Sequence, residues 1–253
     1  MNVKGHAAIV TGGGSGLGAE TARHLARAGA KVTVIDLASE AVKTVAAEIG
    51  GLGLAADVGD AGQLEKAFAE AKAAHGPARV AVCCAGIAPA ARIVGKDGPM
   101  KLADFERVIR VNLIGTFNTM RLAAADMAAA PALEDNERGV VIMTASVAAV
   151  EGQIGQAAYA ASKGGVLGLM LPAAREFAKA GIRVLTIAPG LIGTPLLLNM
   201  PQAVQDSLAA TVPFPSRFGH PHEYARLAMH MIENVLLNGE VVRLDGALRM
   251  QAK

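Results

Sequence analysis

Seven short apolar runs punctuate the chain, at Ala7–Thr11, Lys31–Asp36, Gly53–Ala56, Val80–Cys84, Gly139–Thr144, Arg183–Ala188 and Val241–Leu244. Runs this short, dominated by Val, Ile and Ala, have the character of strands buried on both faces of a parallel sheet. Between them the apolar positions change to helical spacing, which predicts helices over Leu17–Ala28, Leu102–Ala130, Gln153–Ala180 and Tyr224–Glu233. The alternation predicts an α/β protein whose doubly wound parallel sheet of about seven strands carries helices on both faces. Neither a linker nor an internal repeat interrupts it, so residues 1–253 are expected to form one domain. Two stretches break the pattern. Residues 87–102 contain Pro89, Gly95, Gly98 and Pro99 and predict an irregular loop; residues 191–213 follow the turn Pro189-Gly190.

The loop after the first apolar run is rich in glycine, and residues 11–18 read Thr-Gly-Gly-Gly-Ser-Gly-Leu-Gly. Its context of strand, glycine loop and helix is the one in which a dinucleotide pyrophosphate is held, because glycines let the backbone approach closely and the helix N-terminus offers free N–H groups. Gly12, Ser15, Gly16, Leu17 and Gly18 are therefore the candidate cofactor cradle, in a Rossmann-type sheet. The second run ends on Asp36, 18 residues beyond Gly18. A carboxylate there accepts hydrogen bonds from a ribose and repels a 2′-phosphate, and neither residues 13–15 nor residues 37–38 include an Arg or Lys to offset that phosphate. The expected cofactor is NAD rather than NADP.

Tyr159 and Lys163 stand four apart, a spacing that sets both on one helix face. A phenol titrates near ~10, and a neighbouring ammonium favours its ionised form, so the pair suits proton transfer near neutrality. Ser146 follows the run Gly139–Thr144 and so falls at the carboxyl end of a strand, where open α/β sheets bind ligands. There its hydroxyl could polarise a substrate oxygen. Ser146, Tyr159 and Lys163 are the candidate catalytic residues.

Composition narrows the partners. The chain is 52% apolar, enough for a large core, but only 3% aromatic, which with its many alanines predicts close helix packing. A net charge of +2 without basic runs gives no reason to expect nucleic-acid binding, and no uninterrupted apolar stretch reaches membrane-spanning length. The N-terminus leads almost at once into the first strand, which leaves no room for a targeting segment, and a cytoplasmic protein is expected. Cys83 and Cys84 are adjacent on a predicted strand and so face opposite sides, as small buried residues rather than a disulfide. His220 and His222 stand close together without a thiol nearby in sequence, and no metal is expected.

Together the glycine loop, Asp36, Asn112 within residues 111–115, Ser146, Tyr159 with Lys163, and Pro189-Gly190 resemble the short-chain dehydrogenase/reductase superfamily over essentially the whole chain. Residues 144–149, 151–159, 188–197, 212–217 and 238–246 resemble, within it, the type-2 3-hydroxyacyl-CoA dehydrogenases, also called 17β-hydroxysteroid dehydrogenases type 10. That resemblance implies NAD-dependent interconversion of (S)-3-hydroxyacyl-CoA and 3-oxoacyl-CoA with Tyr159 as general acid/base; a hydroxysteroid or other secondary alcohol is the alternative substrate, and a noncatalytic NAD sensor or scaffold the alternative role. It also implies that Asn112 supports a water relay from Lys163, that Asp57 and Val58 line the adenine, and that Cys84, Ala85 and Gly86 pass under the cofactor. Pro189, Gly190, Ile192 and Thr194 would border the nicotinamide, Gln156 would join Ser146 and Tyr159 at the substrate, and residues 87–102 and 191–213 would be substrate loop and lid. A homotetramer would pair the helices 102–130 and 153–180 with their copies. Cys83 departs from the superfamily, which commonly has Asn there; a thiol cannot reproduce an amide's hydrogen bonds.

Overall fold

The computed structural model describes residues 1–252, apart from the side chain of Leu196; Lys253, the last residue of the expected domain, lies outside the described residues. In chain order the first half runs β1 (Ala7–Thr11), α1 (Gly16–Arg27), β2 (Lys31–Asp36), α2 (Ser39–Ile49), β3 (Leu52–Ala55), α3 (Ala61–His75) and β4 (Ala78–Cys83). A two-residue hairpin, β5 (Val94–Gly95) and β6 (Gly98–Pro99), sits in the otherwise irregular loop before α4 (Leu102–Ile109) and α5 (Gly115–Ala129). The second half runs β7 (Gly139–Thr144), α6 (Ala157–Phe177), β8 (Ile182–Pro189), α7 (Pro195–Leu198), α8 (Gln202–Ala209), α9 (Pro221–Glu233) and β9 (Val241–Leu244).

Seven strands form one sheet in the order β3-β2-β1-β4-β7-β8-β9, with every pairing parallel. The order reverses between β1 and β4, and the crevice beyond the carboxyl ends of those two strands is where such sheets bind ligands. Side chains alternate across the sheet, which is why the strands read as continuous apolar runs. On β7, Val141 and Met143 enter the core under α3, α5 and α6, whereas Val140 and Ile142 enter the core under α1 and α9. Helices approach closely because small residues line their contacts: a Cβ at Gly165 of α6 would fall 2.7 Å from the Leu113 side chain.

Several element boundaries differ from the sequence expectations. The helix expected over Leu102–Ala130 is one rod with a π-helical segment, Arg110–Ile114, between α4 and α5. The helix expected from Gln153 starts at Ala157, because residues 153–156 turn back on themselves through Gly155 at φ +90°. The helix expected from Tyr224 starts at Pro221: proline has no N–H to lose at a first helical position, and Glu223 accepts from the His220 N–H at 2.7 Å. Residues 191–213 fold into the two short helices α7 and α8. Cys84 falls one residue beyond β4, with Cys83 packed on one face of the sheet and Cys84 against the other. No described helix is long and apolar enough to cross a membrane. Among the described residues no cluster of His, Cys, Asp and Glu is suited to a metal; the His220 and His222 rings simply stack, 5.3 Å apart.

Candidate active site

At the switch point the glycine loop turns from β1 into α1. Gly12 and Gly16 have φ of +67° and +52°, in the left-handed region that glycine tolerates. A Cβ at Gly12 would fall 2.5 Å from the Ala85 nitrogen, and one at Gly18 would overlap the Gly12 carbonyl, so the loop packs as tightly as backbone allows. Ser15 caps α1 without a side-chain hydrogen bond, and it lines the cleft together with Gly16, Leu17 and Gly18 of the first turn, whose N–H groups have no partner within the helix. Asp36 braces this loop: its Oδ2 accepts from the Gly14 N–H at 3.0 Å and its Oδ1 from the Ala38 N–H at 3.2 Å.

The cleft is open to solvent and spans about 1590 Å³ including its mouth. Gly12, Ser15, Gly16, Leu17, Gly18, Asp36, Asp57, Val58, Cys84, Ala85, Gly86 and Thr194 all line it. The Asp57 carboxylate accepts from the Gly59 N–H (2.8 Å) and from Arg110 (3.4 Å). A glycine cradle with no room for side chains, a free helix N-terminus and a strand-end carboxylate fit a dinucleotide. The wall also includes Leu37, Arg107, Arg110 and Val111, which the sequence analysis did not single out. Position was the available signal, since Arg110 and Val111 immediately precede Asn112.

A second pocket of about 970 Å³ shares Leu17, Cys84, Gly86, Ile87 and Thr194 with the first and extends over β7 and α6. Ser146, Gln156, Tyr159, Lys163, Pro189, Gly190 and Ile192 line it. The Ser146 hydroxyl accepts from the Ala148 N–H at 3.1 Å, so its own proton is the one it offers to Tyr159 on the pocket side. The Gln156 side chain accepts from the Gln153 N–H at 3.0 Å and closes the turn before α6. Gly190 lets the chain pass beside Asp245, which a Cβ would meet at 2.8 Å, and Ile192 bridges to Gly219 at the end of the segment that forms α7 and α8. Met250, in the segment after β9, forms another part of the wall; no periodicity in the sequence marked it.

Tyr159 and Lys163 are arranged differently from the simple expectation. Lys163 is 4% exposed, and its Nζ donates to the Thr144 carbonyl at 2.7 Å while lying over the Tyr159 ring, 5.8 Å from its centroid. Burial lowers the ammonium to about 8, the opposing influence of Cys84 and Cys83 being smaller. Tyr159 is pushed upward by burial, with the Ser146 hydroxyl acting weakly the other way. The expectation that Lys163 depresses the phenol is therefore corrected for the protein alone: the cation is bound to a main-chain oxygen, and desolvation dominates. Asn112 lies in the π segment and is fully buried. Its Oδ1 accepts from the Ile87 N–H (2.8 Å), and its Nδ2 donates to the Ile87 carbonyl (2.9 Å) and Ser162 Oγ (3.0 Å). A Cβ at Gly86 would meet Asn112 Oδ1 at 3.3 Å and Lys163 Nζ at 3.6 Å, so the missing side chain keeps these two groups close.

This arrangement has counterparts. The short chain dehydrogenase family model matches residues 6–205, nearly four-fifths of the chain. The chain belongs to this family. It is 51% identical to 3-hydroxyacyl-CoA dehydrogenase type-2 of Homo sapiens, covering 99% of this chain and 97% of that protein, and 48% identical to the Drosophila melanogaster protein of the same name, covering 98% and 99%. A crystal structure of 3-hydroxyacyl-CoA dehydrogenase type-2 from Mycobacterium avium superimposes with a TM-score of 0.94 at 44% identity, covering 98% of each chain. The chain is thus an oxidoreductase of the nicotinamide-nucleotide-dependent kind.

Proposed function

We propose that the protein interconverts (S)-3-hydroxyacyl-CoA and 3-oxoacyl-CoA with NAD as cofactor. The observation that carries the chemistry is the convergence of Ser146, Tyr159 and Lys163 on one pocket that opens into the dinucleotide cleft. The substrate class is supported by near-half identity, over almost the whole length, to enzymes named for that reaction. Asp36 at the ribose end supports NAD over NADP.

When bound, the nicotinamide ring supplies the hydride acceptor or donor and, when oxidised, a positive charge beside the phenol. The protein's own residues manage the oxygen. Ser146 donates a hydrogen bond to the substrate oxygen, the kind of placed donor worth about 2.7–4 kcal/mol when it meets developing charge. Tyr159, kept protonated by burial, donates its proton to that oxygen in reduction and takes it back in oxidation. Lys163, still mostly charged at neutral pH with a value of about 8, returns the proton to Tyr159. Asn112 completes the supply route through carbonyl lone pairs not already used by Ile87 and Thr116. Gln156 would shape the substrate end and Pro189, Gly190, Ile192 and Thr194, which line the same pocket, would border the ring, with residues 87–102 as substrate loop and 191–213 as lid. A homotetramer is supported by the exposed apolar residues Leu102, Ile114, Phe117 and Leu171 on the helical rods expected to pair.

The test is NADH oxidation with acetoacetyl-CoA, repeated with NADPH and with Tyr159→Phe. Rapid turnover that needs NADH and Tyr159 supports the proposal. A hydroxysteroid reduced or oxidised in its place would move the substrate assignment, and tight NADH binding without turnover on either would make the protein a sensor.

A further inference from the structure

Behind Lys163, on the far side of the sheet's carboxyl edge, three polar side chains that the chemistry above does not use close on one another. Tyr224 of α9 is fully buried, and its phenol lies 2.7 Å from Thr144 Oγ1. The Thr144 hydroxyl donates to Cys84 Sγ at 3.7 Å, and the Cys84 thiol donates to the Tyr224 oxygen at 3.7 Å. With the phenol donating to Thr144, each group donates once and accepts once, and the ring of three is closed. Burial holds the Tyr224 phenol well above its ordinary range and the Cys84 thiol upward, so all three protons stay in place.

Thr144 is where this ring meets the active site. Its side chain belongs to the ring and its carbonyl oxygen accepts from Lys163 Nζ at 2.7 Å. It is also the last residue of β7, where the ladder to β4 has already ended at Met143 opposite Cys83. On that side no sheet bond fixes its carbonyl. Tyr224 packs with the core under α1 and α9, whereas α6, which carries Lys163, packs with the opposite core. A residue on one face of the sheet therefore anchors the oxygen that orients a lysine from the other.

We propose that Tyr224 is a positioning residue for Lys163, acting through Thr144, whose side chain it holds and whose carbonyl receives the ammonium. The inference rests on the assignment of Lys163 made above. The titratable groups facing that ammonium are Tyr159 on its own helix, Cys83 and Cys84 from β4 and the residue after it, and Tyr224 from α9. Neither Tyr224 nor Thr144 exchanges a proton with substrate; they set where Lys163 stands. The same ring gives Cys84 its place: its thiol closes the ring where the chain passes beside the cofactor cleft.

The experiment compares steady-state reduction of acetoacetyl-CoA by NADH in the intact protein and in Tyr224→Phe, Thr144→Val, their double variant, Thr144→Ser and Lys163→Met, with thermal melts to confirm folding. Each single variant should lower kcat about fivefold with unchanged KM for NADH. The double should lose no more than either single, because both break one ring. Thr144→Ser keeps the hydroxyl and should return kcat to within about twofold. An ammonium that loses a fixed acceptor titrates lower, so the alkaline limb of kcat should move to lower pH in Tyr224→Phe. Wild-type kcat, an unmoved limb, or losses that multiply in the double variant would overturn the proposal. Full turnover by Lys163→Met would overturn the underlying assignment of the lysine, a result separable from all of these. Should Tyr224→Phe fail to fold, the contrast between Thr144→Val and Thr144→Ser decides.

Discussion

The two ends of the cleft are built by opposite means. At the dinucleotide end, backbone does the work: Gly12 and Gly18 leave no room for side chains, the loop is tied to the strand ends, and Asp36 bonds directly to the Gly14 N–H. At the substrate end, segments distant in sequence meet through side chains. Glu151 takes a bidentate grip from Arg243 (2.8 and 3.2 Å) and accepts from the Met250 N–H (3.0 Å); beyond the segment 191–213 a local tie, Arg217 to Glu223 through two contacts of 2.9 Å, pins the chain to the start of α9. Between the ends stand Ser146, Tyr159 and Lys163. An end made of backbone should tolerate little and fail abruptly; an end made of side-chain ties should yield by degrees.

The sharpest break comes in the middle. Tyr159→Phe removes the proton carrier and leaves the ring, so kcat should fall about a thousandfold while the Kd for NADH, measured by fluorescence titration, stays within about twofold. Retained turnover would detach the chemistry from Tyr159. Next in size is Asp36, the carboxylate proposed to meet the ribose. Asp36→Ala should shift the ratio of kcat/KM for NADPH over NADH by at least about tenfold, or about 1.4 kcal/mol. Part of that change should be weaker NADH use, since the Gly14 N–H loses its acceptor with the substitution.

How much of this was legible in sequence follows the same division. The strands were, because a side chain on a doubly covered sheet must be apolar whichever way it faces. The dinucleotide end was too, because positive φ and close backbone approach demand glycine at fixed spacing. The π segment was not: the apolar pattern of residues 102–130 runs on through Arg110–Ile114 without registering the widened turn. Helix starts at Ala157 and Pro221 were set by a glycine turn and by Glu223, contacts that periodicity does not weigh. Nor could four-residue spacing reveal that Lys163 bonds to Thr144 rather than to the phenol, since Thr144 arrives from another strand. Desolvation of both groups is likewise a property of the packed sheet.

That desolvation gives the third outcome. Lys163 titrates at about 8, below its ordinary 10.5, so its ammonium is present below about pH 8 and is lost as pH rises through it. Reductive kcat should hold steady to near pH 8 and then fall about tenfold per unit. A profile flat to pH 10 would remove Lys163 from proton delivery.

The side-chain ties should give smaller effects. Glu223 is held at about 2 by Arg217 and the His220 N–H, against an ordinary 4.5. Because the folded value is the lower one, the stabilisation is fully present above about pH 4.5 and is lost as pH falls from there toward 2. Both side chains are partly exposed, at 40% and 30%, so screening limits the contribution to about 1 kcal/mol. Glu223→Gln should lower Tm at pH 7, and the gap from the unaltered protein should close in acid. A gap of constant size from pH 7 to 3 would show that the tie acts through shape rather than charge.

The smallest effect is the most direct test of the substrate end. Met250 enters the pocket on a segment held by Glu151 and by bonds from Gln153 Nε2 to the Gln251 carbonyl and from the Ile154 N–H to the Ala252 carbonyl, each 3.0 Å. None of those ties uses the Met250 side chain, so Met250→Ala leaves the segment in place and removes only apolar wall. A buried methylene is worth about 0.8 kcal/mol, and a flexible thioether adapts to several shapes. KM for a medium-chain 3-oxoacyl-CoA should therefore rise about threefold, while KM for acetoacetyl-CoA, kcat and the Kd for NADH barely move. Equal changes for both substrates would mean that the acyl chain does not reach this wall, and the pocket's working boundary would then stop short of the segment after β9.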